Sequence, residues 1–587
     1  MVRKIIDPIV AQPRFVLFMY LLGFISMMII HQGGRHVSIF ELAVDVYILS
    51  LLLYLVPKEL RKWLKGFIFT IAYSLALVDM YCFCKFGAPI NASLLRICLE
   101  TNQREATEAL GEYLSWSSLP LSVILIIGLL TIHIYTGIRK TNLLKRRIPL
   151  DHRFDWLVIG FLLFCIVISL KNKVFIFRNL TEPKSALEME YASEISHSGG
   201  FYLPFYRLLY AFKSLNIEHG AITKLEKQTE EIHIDSCTYK SPDIVLIIGE
   251  AYNRYHSQLY GYDKATTPQQ MRMARDSSLV VFNDVISPYH QTSMVFRLAF
   301  SLYSYGAKGE WTDYPLFPQL FRKAGYQVTF ITNQFVSSPS LDIFDFSGSL
   351  FVNNPILSTS MFSHRNQYTH KYDIGLLADY DSLRQYKTSH NLTIFHLLGQ
   401  HTGYADRHPD SINKFHPTDY HRPELNDDDL YELSHYDNAC LYNDKVVVEI
   451  IKRFEDREAI IIYMPDHGEM CYDGSSTFGR TLEVNTRNEV KQQFEIPFWI
   501  WTSNSYKRKH SDIVQQIQAS KGLPFMTDNI SQILLYLAGI HCSYYIETDN
   551  PLSPKYNKER KRMIMGTINY DEYIRKGNAK LNCGSTN

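Results

Sequence analysis

Pro242-Asp-Ile-Val-Leu-Ile-Ile-Gly-Glu250 and Ala459-Ile-Ile-Ile-Tyr-Met-Pro-Asp-His-Gly-Glu469 are the two stretches that decide the fold of this chain. Each is a short apolar run that leads directly into acidic or imidazole side chains. An apolar run bounded by turn residues predicts a fully buried parallel strand, and open α/β sheets bind ligands beyond the carboxyl ends of such strands. The two stretches therefore predict a ligand site, and their acidic and imidazole groups favour a metal.

Further strand-like runs alternate with helical patterns in the second half of the chain. The clearest strands are residues 244–248, 328–331, 392–395, 459–463 and 496–501, and helical patterns lie at 314–324 and 436–454. This alternation predicts one α/β domain with a mostly parallel sheet, which we assign to residues 241–587.

The first 170 residues have a different character, because apolar stretches dominate them. Five such stretches occur, at residues 15–30, 39–56, 63–84, 119–135 and 154–170. Each is close to the roughly 20 residues that a bilayer-spanning helix requires. The sequence therefore predicts an α-helical transmembrane domain of five spans over residues 1–171.

Residues 172–240 are predicted to be interfacial helices and a linker. The segment 199–212 is rich in aromatic residues and poor in charge, which suits a helix at the membrane surface. A helix packed on the soluble domain fits the same pattern. The charged segment 225–231 is interpreted as the linker.

Basic residues in the predicted loops give the orientation, since Lys and Arg are retained on the cytoplasmic side. Arg3, Lys4 and Arg14 precede the first span. The loop between the second and third spans contains Lys58, Arg61, Lys62 and Lys65, and the loop between the fourth and fifth contains Arg139, Lys140, Lys145, Arg146, Arg147 and Arg153. We therefore expect a cytoplasmic amino terminus and an outer domain after the fifth span.

The overall balance of 60 basic and 59 acidic residues excludes neither membranes nor acidic substrates. We expect no nucleic-acid partner and a monomeric protein.

Nine cysteines leave the disulfide pattern open. Six of them, Cys98, Cys237, Cys440, Cys471, Cys542 and Cys583, lie on the predicted outer side. Pairing in an oxidising compartment and free buried thiols both fit, because the spacing has no recognisable pattern.

Polar groups follow four of the predicted strands, which suggests a shared crevice. They are Glu250 after the first, Asn333 and Gln334 after the second, His396 and His401 after the third, and Asp466 and His467 after the fourth. Carboxylate oxygens and imidazole nitrogens are ordinary zinc ligands. Glu250, Asp466 and His467 are therefore the predicted ligand set.

A nucleophile for this site is predicted in Ser287-Pro-Tyr-His-Gln-Thr-Ser-Met-Val-Phe-Arg297, a polar turn that leads into a helical pattern. A hydroxyl at a helix start can meet a metal, which lowers its pKa, while free backbone N–H groups favour an anionic phosphate. Thr292 and Ser293 are both candidates. Taken alone, a Thr-Ser pair before a helix is more often an N-cap.

A series of motifs in one order extends this pattern over nearly the whole chain. They are Ile247-Ile-Gly-Glu250, Asn253-Arg-Tyr-His256, Leu259-Tyr-Gly-Tyr262, Thr292, His396-Leu-Leu-Gly-Gln-His401, Tyr436-Asp-Asn438 and Asp466-His-Gly-Glu469. Together with the five spans, they resemble the membrane phosphoethanolamine transferases of the alkaline phosphatase superfamily. The resemblance implies a catalytic α/β sandwich of the alkaline-phosphatase/sulfatase type. It is closer to the lipopolysaccharide-core type than to the polymyxin-resistance type.

The resemblance also implies roles for individual residues. Glu250, Thr292, Asp466 and His467 match the single-zinc set, and Thr292 is the residue that becomes phosphorylated. His401 matches a histidine that contacts the transferred phosphoryl group, although a lone loop histidine is more often structural. Zinc is the implied cofactor, and the ligand types would also tolerate Mn²⁺.

Contacts to the substrates are implied at further positions. Glu105 is the closest match to a residue of the outer loop that is implicated in lipid binding. A lysine expected after the second strand is absent, so Asn333 and Gln334 are the polar groups there. Arg480 stands near the position where many polymyxin-resistance members carry a histidine, and we expect it to bind phosphate instead.

The implied reaction transfers phosphoethanolamine from phosphatidylethanolamine to a lipopolysaccharide acceptor, either lipid A or core, through a phospho-threonine intermediate. The implied location is the bacterial inner membrane, with the catalytic domain in the periplasm. Alternatives remain open at this stage. A glycerol-phosphate transferase would share the threonine and the metal. A sulfatase would need a C-x-P-x-R pattern, which residues 291–297 do not match. A non-enzymatic, membrane-anchored binding module would not need the intact ligand set.

Overall fold

The computed structural model describes residues 2–30, 38–86, 89–90, 95, 121–139, 152–182, 201–334, 350–480, 484 and 486–576. The chain divides into two units, Met1–Gly220 and Ala221–Asn587. The first unit is helical and the second is built on a β-sheet. The helical and α/β characters agree with the predicted fold class, whereas the predicted domain bounds of 1–171, 172–240 and 241–587 stay a prediction.

Helices lie at all five predicted apolar stretches. The helices of the first unit are Val2–Val10, Pro13–Ile30, Ser38–Leu55, Lys58–Phe86, Leu121–Ile138 and His152–Thr181. Among the described residues, three helices are long and apolar enough to cross a membrane, at Lys58–Cys84, Leu121–Ile138 and Asp155–Thr181. Lys4–Val10 and Pro13–Met28, bent by 74°, would form a fourth span if they cross together. The count of five spans therefore stays a prediction.

Charged groups inside the first unit are paired with one another. Lys173 forms an ion pair with Asp45, whose carboxylate also accepts hydrogen bonds from the hydroxyls of Tyr202 and Tyr206. The guanidinium of Arg207 donates to Asp79, and both side chains are buried. Because an unpaired charge among apolar helices is costly, these pairs hold the segment after residue 200 onto the helices.

The segment predicted to be a linker forms the end of a helix. Pro204–Glu231 is one continuous helix of 28 residues, and it includes the charged segment 225–231. Ala221 and Leu225 are both buried, four residues apart, so this part has an apolar stripe despite its charges. Residues 225–231 are therefore helical, and their role as a linker stays a prediction.

A central sheet of seven strands organises the second unit. In chain order they are β1 Asp243–Gly249, β2 Leu279–Phe282, β3 Gln327–Thr332, β4 His364–Arg365, β5 Asn391–His396, β6 Ala459–Pro465 and β7 Phe498–Thr502. All five predicted strands are confirmed. The short edge strands β2 and β4 were not foreseen, because a run of two to four residues carries little periodic signal.

The order of strands across the sheet is β2-β7-β6-β1-β5-β3-β4. The four neighbouring pairs from β6 to β4 are parallel, whereas β7 is antiparallel to both β6 and β2. Gly249 of β1 lies opposite Pro465 of β6, and Ile248 lies opposite His396 of β5. The carboxyl ends of the three central strands therefore meet at one edge of the sheet.

Helices and short hairpins surround this sheet. The helices are Pro268–Arg275, Thr292–Phe300, Phe317–Lys323, Leu350–Asn353, Pro355–Met361, Leu376–Leu383, Asp427–Lys452, Arg487–Phe494, Asn504–Lys509, Ser511–Ser520, Ile530–Ala538 and Tyr570–Lys576. Every residue of β1, β5 and β6 is buried, as expected for parallel strands that are covered on both faces. Among the described cysteines of this unit, Cys237, Cys440, Cys471 and Cys542 form no disulfide. Cys98 and Cys583 lie outside the described residues.

A buried histidine joins two aspartates behind the sheet edge. The ring nitrogens of His256 lie 2.7 Å from Asp437 Oδ1 and 3.0 Å from Asp473 Oδ2. Burial alone would lower the pKa of His256, but the two carboxylates outweigh it and hold this pKa well above its usual value. Tyr262 and Tyr420 donate to the other oxygen of Asp437. The Asn253–His256 and Tyr436–Asn438 motifs thus build a scaffold.

Replacing His256 with Gln should destabilise the protein by about 3–5 kcal/mol at mildly acidic pH, because it leaves a buried carboxylate without its cation. The folded pKa of His256 is raised, so its stabilisation is complete below its unfolded pKa of about 6.5 and is lost as pH rises through the folded pKa. The gap between wild type and His256→Gln should therefore narrow at alkaline pH. Denaturant unfolding of the full chain in detergent measures this gap.

The exposed His233 supplies the control, since its side chain is 82% accessible. His233→Gln should leave stability unchanged at every pH. A gap for His256→Gln that stays constant from about pH 6 to about pH 10 would contradict a protonated His256.

Candidate metal centre and nucleophile

Three fully buried side chains converge at the carboxyl ends of β1 and β6. Glu250 follows β1, while Asp466 and His467 follow β6, and one ligand atom from each lies within 4.8 Å of the others. His467 Nε2 lies 3.3 Å from Glu250 Oε1 and 3.3 Å from Asp466 Oδ2. The structure therefore brings together the three ligands that the sequence predicts.

Each carboxylate of this triad has one oxygen held by the protein. Asp466 Oδ1 accepts hydrogen bonds from the backbone N–H groups of Ala251, at 3.1 Å, and His467, at 2.8 Å. Glu250 Oε2 accepts from the Thr292 hydroxyl at 3.1 Å and from Gln334 Nε2 at 3.0 Å. The other oxygens, Glu250 Oε1 and Asp466 Oδ2, are buried and have no hydrogen-bond partner among the described residues. Two such oxygens facing each other fit a bound cation.

The imidazole of His467 is arranged as a neutral ligand. Its Nδ1 lies 2.8 Å from the carbonyl oxygen of Gly468, which assigns the proton to Nδ1 and leaves the lone pair on Nε2. Burial and the neighbouring Arg480 charge lower the pKa of His467 below its usual value. Burial and the negative charge of Glu250 raise the pKa of Asp466 well above its usual range. A divalent cation would relieve this repulsion between the two carboxylates.

Backbone contacts explain why these loops take this shape. The N–H of Asp466 donates to the carbonyl of Gly249, and the N–H of Tyr252 donates to the carbonyl of His467. Ala251 has a positive φ of 50°, which a non-glycine residue adopts at a cost. The loop is nevertheless fixed, because the Tyr436 hydroxyl donates to the carbonyl of Ala251 at 2.7 Å.

Thr292 is the first residue of the helix Thr292–Phe300. The N-cap position belongs to Gln291, and its side chain makes no capping hydrogen bond. The alternative that Thr292 is only an N-cap is therefore wrong. Its hydroxyl donates instead to Glu250 of the triad, at a helix start, where the first backbone N–H groups have no intrahelical partner. Ser293 is the next residue and is 5% exposed.

The other predicted site residues fall into different environments. Gln334 donates to Glu250 and to the carbonyl of Leu397, so it orients a ligand of the triad. Asn333 is buried, and its amide donates to Asp373 and accepts from the backbone N–H of His370, so it holds a loop. Glu105 lies outside the described residues.

His401 and Arg480 complete the predicted set. His401 is partly exposed in the loop after β5. Arg480 Nη1 lies 2.9 Å from His467 Nε2. Arg480 is therefore next to the triad.

The sequence analysis did not predict several residues that hold the loops at this edge of the sheet in place. Asp373 accepts hydrogen bonds from the backbone N–H groups of Leu398 and Gly399, and Gly399 packs directly on the backbone of Glu250. The Tyr404 hydroxyl donates to Glu469 at 2.8 Å. No periodic signal marks these residues, because each acts through contacts between segments that are distant in sequence.

Comparison with known proteins places this geometry in a family. The sulfatase family model matches residues 242–535, which is half of the chain. The chain belongs to the sulfatase family. The matched range contains the triad, Thr292, His401 and Arg480. The predicted fold class, apolar helices followed by an α/β domain of this type, is confirmed.

Individual relatives extend over most of the chain. It is 29% identical to phosphoethanolamine transferase EptC of Escherichia coli (strain K12) over 522 residues, which is 87% of this chain and 85% of that protein. It is 27% identical to phosphoethanolamine transferase CptA of Salmonella typhimurium (strain LT2), with 84% and 82% covered. The predicted resemblance to this group of sulfatase-family proteins is confirmed.

A solved structure resembles the second unit. The crystal structure of the C-terminal periplasmic domain of EcEptC from Escherichia coli, in complex with Zn, has a TM-score of 0.50 and 27% identity. The match covers 58% of this chain and 95% of that domain.

Gly468 should tolerate no side chain, because a Cβ there would lie 2.1 Å from the carbonyl oxygen of Gln492. Gly468→Ala should displace the loop that carries Asp466 and His467. We expect a destabilisation of about 1–3 kcal/mol and weaker binding of Zn²⁺. Thermal unfolding and chelator competition measure these effects.

Gly522→Ala is the matched control, since nothing lies within 4 Å of the added Cβ. It should change neither the unfolding temperature nor the affinity for Zn²⁺. Unaltered zinc affinity in Gly468→Ala would contradict the assignment of this loop as a ligand loop.

Proposed function

We propose that this protein transfers phosphoethanolamine from phosphatidylethanolamine to a lipopolysaccharide acceptor, with Thr292 as the nucleophile. One observation carries the proposal: the Thr292 hydroxyl lies at a helix start, 3.1 Å from a carboxylate of the buried ligand triad. The names of relatives that align over most of the chain support the same reaction. A sulfate-ester hydrolase is disfavoured, because residues 291–297 lack the C-x-P-x-R pattern.

Zinc is the proposed ion, and Glu250, Asp466 and His467 would hold it, with Thr292 Oγ1 as a further ligand. When bound, the ion would lower the pKa of the Thr292 hydroxyl and counter the charge of the phosphoryl group. The donor set of two carboxylates and one imidazole fits Zn²⁺ and would also accept Mn²⁺. The zinc complex of the related domain supports the first choice.

The proposed reaction has two steps. Thr292 Oγ attacks the phosphorus of the lipid, a new O–P bond forms, and the P–O bond to diacylglycerol breaks as diacylglycerol takes up a proton. An oxygen of the acceptor then attacks the phosphorus, and Thr292 leaves with its hydroxyl restored. The covalent intermediate divides one difficult substitution into two easier ones.

The surrounding residues receive proposed roles in these steps. Free N–H groups at the start of Thr292–Phe300 favour the negative charge of the phosphoryl oxygens. His401 contacts this group and moves a proton, because an imidazole can both accept and donate one. Arg480 binds a phosphoryl oxygen, and Gln334 orients Glu250. Asn333 holds the loop that contains His370 and Asp373. Glu105 contacts the lipid.

The proposal includes a location and a domain plan. Residues 1–171 would form five spans, 172–240 an interfacial segment, and 241–587 a periplasmic catalytic domain of a monomeric inner-membrane protein. The amino terminus would then be cytoplasmic. Both substrates are lipids, so apolar helices in the same chain suit the reaction.

Purified protein incubated with zinc and headgroup-labelled phosphatidylethanolamine should gain the mass of one phosphoethanolamine group at Thr292. Thr292→Ala should lose the adduct completely, because it removes the oxygen that attacks the phosphorus. Thr292→Ser should keep a weaker adduct, since it retains the oxygen. Peptide mass spectrometry identifies both the group and its position.

Ser293→Ala is the control for the neighbouring hydroxyl and should retain the adduct. An adduct on Ser293 would overturn the choice of nucleophile. An adduct of glycerol phosphate from phosphatidylglycerol, with none from phosphatidylethanolamine, would favour the glycerol-phosphate alternative.

Removal of metal should abolish the adduct and lower the unfolding temperature. The two carboxylates then lie close together without a divalent counter-ion, and a ligand at 100 times its dissociation constant stabilises the folded state by about 2.7 kcal/mol. Added Zn²⁺ should restore both properties, whereas Mg²⁺ should not. A protein that forms the adduct equally well after exhaustive chelation would contradict a metal-dependent nucleophile.

A further inference from the structure

A short hairpin returns the chain to the triad. After His467, the strands Met470–Cys471 and Phe478–Gly479 pair in antiparallel fashion, with Gly479 opposite Met470. The next residue, Arg480, therefore comes to lie beside Glu469. Gly479 has a φ of 91°, a left-handed conformation that favours glycine at this turn into the site.

Arg480 contacts the ring nitrogen of His467 that a metal ion would bind. Its Nη1 lies 2.9 Å from His467 Nε2 and 3.4 Å from the carbonyl oxygen of His290. Since the proton of His467 is on Nδ1, the N–H of Arg480 donates to the lone pair of Nε2. A metal ion would need this same lone pair. One lone pair cannot serve both, so Arg480 and the ion exclude each other at Nε2.

Glu469 holds the other side of the guanidinium. Arg480 Nε lies 3.6 Å from Glu469 Oε2, and Glu469 is fully buried. Its second oxygen accepts the hydrogen bond from Tyr404. Glu469 is not part of the triad whose ligand atoms converge, although it follows His467 by two residues. Its carboxylate therefore serves Arg480 and not the ion.

We propose that Arg480 is a displaceable cation: it binds His467 in the metal-free protein, is released when the metal binds, and stays in the site through Glu469 and Tyr404 to bind the phosphoryl group. Glu469 and Tyr404 are positioning residues in this scheme. The second half of the proposal rests on the proposed function, which brings an anionic phosphoryl group to Thr292.

The charges of the site favour this exchange. In the metal-free protein, the single charge of Arg480 partly offsets the carboxylates of Glu250 and Asp466. A divalent ion replaces it there and repels it at short range. The guanidinium retains its contact with Glu469, and its planar set of donors matches the oxygens of a phosphate group.

Zinc affinity tests the first half of the proposal. The full chain in detergent, without lipid, is titrated with Zn²⁺ in competition with a chelator of known affinity. Arg480→Gln should bind Zn²⁺ about tenfold more tightly than wild type, within the range of typical couplings between two ligands. Arg480→Met, which keeps the apolar stem, should show the same increase.

Arg508→Gln is the matched control, because Arg508 is exposed on a helix of the same unit. It should leave zinc affinity unchanged. Unfolding temperatures establish that each variant is folded. Zinc affinity that is unchanged or weaker in both folded Arg480 variants would overturn the exchange.

A double-mutant cycle tests the role of Glu469. In the Glu469→Gln background, Arg480 has lost its ion pair, so Arg480→Gln should change zinc affinity by less than about twofold. A tenfold effect that persists in this background would overturn the positioning role. In the Tyr404→Phe background, Arg480→Gln should increase zinc affinity by less than it does in wild type. In the background of Tyr386→Phe, a change at an exposed tyrosine, the increase should be the same as in wild type.

Binding of inorganic phosphate to the zinc-loaded protein tests the second half. Calorimetry should show about tenfold weaker phosphate binding in Arg480→Gln, because charge-assisted hydrogen bonds are lost. Equal phosphate affinity in wild type and Arg480→Gln would overturn this half. Neither measurement uses a lipid donor, so a failure of phosphoethanolamine transfer with these binding results intact would reject the proposed function alone.

Discussion

Two carboxylates, Glu250 and Asp466, lie fully buried beside one neutral imidazole, and their mutual repulsion is the constraint on which the site depends. Burial without a counter-ion would be costly, since each free oxygen faces the other and neither has a hydrogen-bond partner among the described residues. The protein fixes the remaining oxygens through backbone N–H groups, Gln334 and the Thr292 hydroxyl. A cation that relieved this repulsion would contact Glu250, the carboxylate to which the Thr292 hydroxyl donates.

The parallel sheet makes this arrangement possible. Neighbouring parallel strands end at the same edge, so residues more than two hundred positions apart in sequence, Glu250 and Asp466, become neighbours. Loops then refine the placement: Gly468 passes close to the Gln492 carbonyl, and Gly399 packs on Glu250. The hairpin after His467 adds Arg480 and its partner Glu469. The triad, Thr292 and Arg480 thus lie at one edge of the sheet.

Local patterns predicted the parts of the structure that local physics determines. β1 and β6 are continuous apolar runs ending in ligands, so both the strands and the triad could be inferred from the sequence. The helix at 225–231 was missed, because its apolar stripe is narrow beside its charges. Asp373, Tyr404 and the contact between Arg480 and His467 could not be inferred, since they depend on which loops meet in space. The resemblance of ordered motifs supplied Thr292, which composition alone left undecided against Ser293.

Anomalous scattering at the zinc absorption edge, from crystals of the full chain, tests the central claim most directly. The account predicts one strong peak about 2.0–2.2 Å from Glu250 Oε1, Asp466 Oδ2 and His467 Nε2, with the Thr292 hydroxyl at the fourth position. It also predicts that Arg480 no longer contacts Nε2 in those crystals. A zinc peak at other residues, or no peak at the triad in zinc-saturated protein, would contradict the account.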